Sequence, residues 1–387
     1  MQFKESERLR LLSPYTFAEI SKIIEKKKNQ GLDVISLGIG DPDMPTPEEI
    51  IKALCREAKN PENHRYPSSY GLKILKEVIA DFYLERFNVV LDPDREVIPL
   101  LGSKEGISDV AYTFINKDDY VIITDPAYLV YKISTIFAGG RPYIVPLKKE
   151  NDFLFNVDEI NADVAGKAKV LYINYPNNPT TATCDIKFFN KVAEFAEKNN
   201  IIVCHDNPYS DIYSGKDRPP SFLNAEGSKN VGIELNSLSK TFNMTGWRLG
   251  YAVGNKEVIE SIGKYKTNVD SGIFNAIQYA GVEAFKNFER SSDINNQIYK
   301  KRRGMVKRVL DDIGIEYYDS DATIYVWSEV PDGSTSESFS KMLLEKANVV
   351  VTPGTAFGEY GEGFFRISLT IEDNRLEEAL NRIKDVL

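Results

Sequence analysis

Residues 96–106 read E-V-I-P-L-L-G-S-K-E-G: an apolar run, a Gly-Ser turn, then the opening of a helical pattern. A short apolar run without polar alternation fits a strand buried on both faces. The same succession recurs downstream. Strand-length runs stand at Val97–Leu101, Tyr120–Thr124, Tyr143–Leu147, Val170–Asn174, Ile201–His205, Gly232–Asn236 and Leu249–Val253. Between them lie stretches such as Lys187–Lys198 (KFFNKVAEFAEK), whose apolar positions recur at three and four. Strands alternating with helices predict an α/β fold with a mostly parallel, helix-flanked sheet.

The C-terminal third changes character. Phe274–Phe288 and Asn295–Ile313 read as long helices, followed by a Tyr/Thr-rich stretch, a helix near Ser336–Ala347, short strands and a closing helix through Arg375–Val386. This predicts a smaller α+β domain. The first 45 residues offer one helix, about Phe17–Lys28, and an apolar stretch Val34–Leu37, and are expected to pack with the C-terminal part.

At 387 residues the chain exceeds one ordinary core of ~150 residues and calls for two or three domains. Its 42% hydrophobic content rules out a disordered chain. The net charge of −9 repels phosphate backbones, so nucleic-acid binding is not expected, while a local basic cluster can still hold a small anion. Cys55, Cys184 and Cys204 show no CxxC spacing, and with two histidines no Cys/His metal site is expected. The start, MQFKESERLR, lacks an apolar signal core, and no run reaches the ~18 apolar residues of a membrane span. These features predict a cytoplasmic protein without membrane partners.

Ligands of open α/β sheets bind beyond the carboxyl ends of the strands. There the sequence places Gly102-Ser103-Lys104 at a helix start, an anion cradle of free N–H groups. It also places Tyr128, the turn Asn177-Asn178-Pro179-Thr180, Asp206 with Tyr209, and Ser237-Leu238-Ser239-Lys240 ahead of Arg248. Each has an ordinary structural reading alone. Asn178 can cap backbone, His205 can be a satisfied strand histidine, and Lys240 can sit in solvent. Asp206, at the end of a buried strand, calls for a cationic partner. Taken together they are the groups pyridoxal 5′-phosphate requires. Its aldehyde takes a lysine amine, its ring nitrogen a carboxylate, its phosphate N–H, hydroxyl and guanidinium donors, and its ring an aromatic face.

The segment Ser237-Leu238-Ser239-Lys240-Thr241-Phe242-Asn243-Met244-Thr245-Gly246-Trp247-Arg248-Leu249-Gly250 resembles the lysine signature of the fold-type I, class I/II aminotransferases. Gly40-Asp41-Pro42, Tyr66 before Gly71, the Gly102 turn, Tyr128, Asn178-Pro179-Thr180, Asp206 with Tyr209, and Phe365-Arg366 follow that family's order. The resemblance covers essentially the whole chain. Within the family, Ile35–Asp43, Gly102–Ile107 and Asn174–Thr180 look most like the branch acting on LL-diaminopimelate. Two departures stand out: Thr181 where the family usually has Gly, and Tyr128-Leu129 where many relatives have Tyr-Pro. A β-branched residue disfavours positive φ, so the turn at Thr181 is expected to differ locally.

The resemblance implies a large cofactor domain at 46–280 and a small domain from 1–45 and 281–387. It assigns Lys240 as the catalytic base that carries the cofactor. Asp206 is assigned to the ring nitrogen, Asn178 and Tyr209 to the ring hydroxyl, and Tyr128 to the ring face. Ser103, Lys104, Ser237, Ser239 and Arg248 fall to the phosphate. Tyr66 would reach the phosphate from the partner in a homodimer. Tyr15, Gly40, Lys104, Tyr128, Asn178 and Arg366 would line the substrate side, with Arg366 clamping the α-carboxylate. The activity implied is amino transfer between LL-diaminopimelate, formed from tetrahydrodipicolinate in lysine biosynthesis, and 2-oxoglutarate. The alternative is a related aminotransferase of aspartate, alanine or aromatic amino acids, or a carbon–sulfur lyase.

Overall fold

The structure, a computed structural model, describes residues 3–12 and 16–387, with backbone alone for 16–21. Its strands in chain order are β1 Ile35–Ser36, β2 Val97–Leu100, β3 Tyr120–Asp125, β4 Arg141–Pro146, β5 Ala168–Ile173 and β6 Ile202–Asp206. They continue with β7 Gly232–Ser237, β8 Gly250–Gly254, β9 Tyr325–Glu329, β10 Val349–Val350, β11 Thr352–Pro353 and β12 Phe364–Ser368. Every strand expected between residues 97 and 253 is present, with ends shifted by one or two residues.

Seven of them form one sheet in the order β2-β8-β7-β6-β5-β3-β4. The pairs from β7 to β4 are parallel, and β8 is antiparallel to both β7 and β2. Every strand but β8 therefore runs the same way. One edge collects the carboxyl ends of β2, β3, β5, β6 and β7 together with the amino end of β8, and so gathers segments distant in sequence.

Continuous apolar strands have the meaning expected of them. Val97, Ile122, Leu171, Ile173 and Val203 point into one core. Their neighbours Ile98, Val121, Ile123, Val170, Tyr172 and Cys204 point into the other. Alternate side chains leave opposite faces of a strand, so both faces of this sheet are covered. Each fully buried large aliphatic side chain there contributes roughly 1.5–3 kcal/mol of transfer free energy. The helix Ile186–Asn199 shows how the covering elements form. Asp185 caps it by accepting the Phe188 N–H (2.9 Å), Asn200 ends it in the left-handed region, and Phe189, Val192, Ala193 and Ala196 make its buried face.

A separate core joins Ile35 and Leu37 to side chains between Tyr299 and Ile383. The expected association of the chain ends is visible in the backbone too, since β1 pairs parallel with β10. The antiparallel sheet β11-β12-β9 carries Arg366 on its central strand, opposite Trp327 and Thr352. The helix expected from Asn295 begins earlier and runs Phe288–Asp312. Among the described residues, no helix is long and apolar enough to cross a membrane.

One local expectation is corrected. Thr181 has φ 64°, so the turn keeps its left-handed residue despite the branched side chain. Surrounding bonds hold it there: the Thr181 N–H donates to the Asn177 carbonyl (2.9 Å), and the Thr181 carbonyl accepts the Ser320 hydroxyl (2.7 Å).

Candidate active site

At the shared strand edge lies a cleft of about 430 Å³. Gly40, Ser103, Lys104, Tyr128, Asn178, Asp206, Tyr209, Ser237, Ser239, Lys240, Arg248 and Arg366 all line it. Tyr66 stands outside and is 89% exposed, and Tyr15 falls outside the described residues.

The β2 turn opens the helix Ser103–Phe114, and Gly102 caps it at φ 86°. Glu105 reaches back to accept the Leu101 N–H (2.6 Å), which fixes the turn. A Cβ on Gly102 would occupy the space of the Arg248 guanidinium. That guanidinium donates to the carbonyls of Leu101 (3.1 Å) and Thr245 (3.0 Å). Partial burial and the nearby Arg248 lower the pKa of Lys104. Ser237 caps the following short helix by accepting the Ser239 N–H (3.2 Å). The helix start, two serines and two cations thus surround one end of the cleft, a cradle for an anion.

Asp206 ends β6, buried. Its Oδ2 accepts the Tyr131 hydroxyl (2.8 Å), while Oδ1 is without a hydrogen-bond partner among the described residues. Burial pushes the carboxyl up to about 6, against the lowering effects of Tyr131, His205 and Ser103. Among the described residues its hydrogen-bond partner is a phenol, and no cationic side chain bonds it. His205 is satisfied as expected, between Glu234 (2.9 Å) and the Tyr175 carbonyl (3.0 Å).

Lys240 donates to the Gly40 carbonyl (2.6 Å), and burial lowers the pKa of its ammonium. Arg366, 1% exposed, donates to Asn178 Oδ1 (2.6 Å) and the Gly38 carbonyl (2.8 Å). Its guanidinium lies 3.9 Å from the Tyr325 ring centre and 4.6 Å from that of Phe357. The segment Gly38–Gly40 thus holds both the lysine and the arginine.

Among the lining residues to which the sequence reading gave no role are Tyr131, Tyr325 and Asn174. Tyr131 lies in what reads as an ordinary amphipathic helix, and Tyr325 in the Tyr/Thr-rich stretch. Asn174 stood inside an expected strand. Asn174 donates to the Asp206 carbonyl (2.6 Å) and accepts the Asn178 N–H (2.7 Å), so it joins two strand ends. Tyr325 meets Tyr209 hydroxyl to hydroxyl (3.2 Å) and lies where a side chain on Gly40 would stand.

A lysine with lowered pKa, a buried carboxylate with one oxygen open, and an anion cradle across a single cleft suit a phosphorylated pyridine aldehyde. Comparison with known proteins agrees. The family described as aminotransferase class I and II matches residues 32–383. The chain belongs to this family. It is a pyridoxal-phosphate-dependent aminotransferase. It is similar to an LL-diaminopimelate aminotransferase of Aquifex aeolicus, 52% identical over 99% of either chain. Among solved structures it resembles substrate-bound BacF from Bacillus subtilis, with a TM-score of 0.96 and 35% identity over 100% of this chain and 98% of that one. It also resembles a single mutant of Thermus thermophilus aspartate aminotransferase, with a TM-score of 0.92 and 26% identity over 100% of both chains. The aminotransferase fold, with a large mostly parallel sheet and a small antiparallel one, is as the sequence implied.

The orphaned Asp206 Oδ1 is the observation that best tests the fit of the cofactor. A buried carboxylate oxygen left without a donor is costly, and a protonated ring nitrogen is the donor it lacks. The residues present fit the group.

Proposed function

We propose that this aminotransferase passes an amino group between LL-2,6-diaminopimelate, formed from tetrahydrodipicolinate, and 2-oxoglutarate, in lysine biosynthesis. The observation that carries the reading is the 52% identity, along 99% of both chains, to an LL-diaminopimelate aminotransferase. Cleft chemistry supports it: Arg366 suits an α-carboxylate, while Lys104 and Tyr128 in the same cleft offer a cation and a hydroxyl to a second charged end.

The residue roles form part of the proposal. Ser103, the Lys104 N–H, Ser237, Ser239 and Arg248 hold the cofactor phosphate. Tyr128 covers the ring, Asn178 and Tyr209 bond its hydroxyl, and Asp206 keeps its nitrogen protonated. When bound, pyridoxal phosphate supplies an electron sink that acidifies the substrate α-carbon. Lys240 is the group that would take and return the proton of the substrate α-carbon. Burial lowers its pKa, which favours the free amine that proton transfer requires. Arg366 takes the α-carboxylate in a two-pronged grip, with Asn178 orienting the guanidinium. Tyr15 and Gly40 complete the substrate side.

The large domain spans 46–280, and 1–45 with 281–387 make the small one, in keeping with the core that joins Ile35 and Leu37 to the C-terminal third. A cytoplasmic homodimer completes the proposal, with Tyr66 entering the partner's site. Tyr66 is 89% exposed, and nearby aromatics support a contact face: His64 packs edge-on against Phe274 (6.0 Å), itself partly exposed.

A stereochemically resolved substrate panel on purified holoenzyme tests the substrate. LL-diaminopimelate should give the highest kcat/KM. Faster turnover of aspartate or tyrosine would replace this reading with the alternative.

A further inference from the structure

Asp125, the last residue of β3, lies outside the cleft and is only 9% exposed. Its Oδ2 accepts the Glu359 N–H (3.1 Å) and its Oδ1 the Tyr360 N–H (3.0 Å). Both donors open the turn Glu359–Gly361, whose first N–H groups have no partner within the turn. Two residues beyond Asp125, the Ala127 N–H donates to the Phe357 carbonyl (2.9 Å). Gly358 between them has φ 137°, and a Cβ there would fall on both carboxylate oxygens. Glycine therefore opens the space that the carboxylate fills.

The clasped segment joins β11 to β12, the strand of Arg366, and Thr352 of β11 is in register with Arg366. Phe357, buried at 2% exposure, presents its ring to the Arg366 guanidinium. An end of the large sheet thus grips the backbone at the Phe357 carbonyl and at the two N–H groups just beyond it, and Phe357 forms one wall of the arginine's slot.

We propose that Asp125 is a positioning residue for substrate binding, holding the 357–360 turn so that Phe357 keeps Arg366 oriented toward the substrate carboxylate. This rests on the reading of Arg366 as the carboxylate clamp. A carboxylate suits the task because each of two N–H donors needs an acceptor oxygen. An amide offers one, and turns its NH₂ toward the other donor.

The test uses holoenzyme variants with glutamate and 2-oxoglutarate as probes. Asp125→Asn should raise both KM values about tenfold, with kcat within about threefold and cofactor absorbance unchanged. Phe357→Leu leaves the clasp's backbone bonds in place and should raise KM similarly. In an Arg366→Lys background, Asp125→Asn should add less than about twofold, because both changes act through one group. An equal rise in both backgrounds overturns the proposal, as does an unaltered KM in Asp125→Asn beside an impaired Arg366→Lys. If Arg366→Lys itself leaves both KM values unchanged, the clamp reading fails and the proposal falls with it.

Discussion

The Tyr131 hydroxyl donates to Asp206 Oδ2 at 2.8 Å, while Oδ1 has no hydrogen-bond partner among the described residues. The tyrosine is itself held by stacking on Tyr172, with ring centres 5.2 Å apart and planes 8° from parallel. The carboxylate is therefore aimed, half satisfied, and desolvated before any ligand arrives.

That arrangement makes Asp206 a burden to the cofactor-free chain. Its folded pKa of about 6 lies above the ordinary 3.8, so the folded state binds the proton more tightly than the unfolded one. The stability involved is fully present below pH 4 and lost as pH rises through 6, at most about 3 kcal/mol. Cofactor-free Asp206→Asn should accordingly be more stable than wild type at pH 8 and equal to it near pH 4, by denaturant titration. The same variant should lose roughly a thousandfold or more in kcat once loaded, because a neutral amide cannot keep the ring nitrogen protonated. A variant that gains no stability at pH 8 would contradict the burial argument.

Tyr131→Phe removes the one hydrogen bond to Oδ2 and leaves the stacked ring in place. The Asp206 carboxylate then loses a donor that favours its charged form, so its pKa should rise further. The acid limb of the pH–rate profile should move to higher pH, with kcat reduced roughly tenfold at neutrality. An unmoved acid limb would show that Tyr131 does not tune Asp206.

Away from the cleft, Asp109 is buried with Oδ2 lacking a partner among the described residues, and its carboxyl is pushed up to about 7. Burial is the main cause, aided by Glu105 and Asp270 and opposed by Lys266. Its stabilising contribution is lost as pH rises through 7. Asp109→Asn should raise the melting temperature at pH 8.5 but not near pH 4, corresponding to about 2–4 kcal/mol. Equal melting shifts at both pH values would remove the titration from the explanation.

Glu234 is the opposite case. Tyr83 (2.6 Å) and Asn207 (3.0 Å) donate to Oε1, and His205 (2.9 Å), Ser221 (2.8 Å) and the Phe222 N–H (3.0 Å) bond Oε2. Burial raises its pKa, yet His205, Tyr83 and Asn207 more than offset that and leave it lowered. This contribution is present above the ordinary 4.5 and is lost as pH falls through the folded value. Glu234→Gln should cost about 3 kcal/mol at pH 7 and progressively less in acid, by denaturant titration. A loss independent of pH would point to packing rather than charge.

Much of this architecture was legible in local sequence. Continuous apolar runs marked strands buried on both faces, and the residues just beyond them proved to be cleft residues because a parallel sheet brings those ends together. Tyr131 and Tyr325 were not legible, for a physical reason. Their partners lie 75 and 116 residues away, so no local pattern distinguishes them from packing tyrosines. The pairing of Asp206 with a phenol likewise depends on which helix crosses the end of β6. Thr181 shows the converse limit: its intrinsic preference was read correctly, and tertiary hydrogen bonds override it.

The central claim is that Lys240, in contact with the Gly40 carbonyl and within the same cleft as Asp206 and Arg366, is the residue through which this aminotransferase works. The most direct measurement is the visible absorbance and borohydride-fixed cofactor content of Lys240→Ala beside wild type. The account predicts that the variant folds, binds the cofactor without covalent fixation to the chain, and loses turnover by at least about a thousandfold. A variant that retains borohydride-fixed cofactor together with full activity would contradict it.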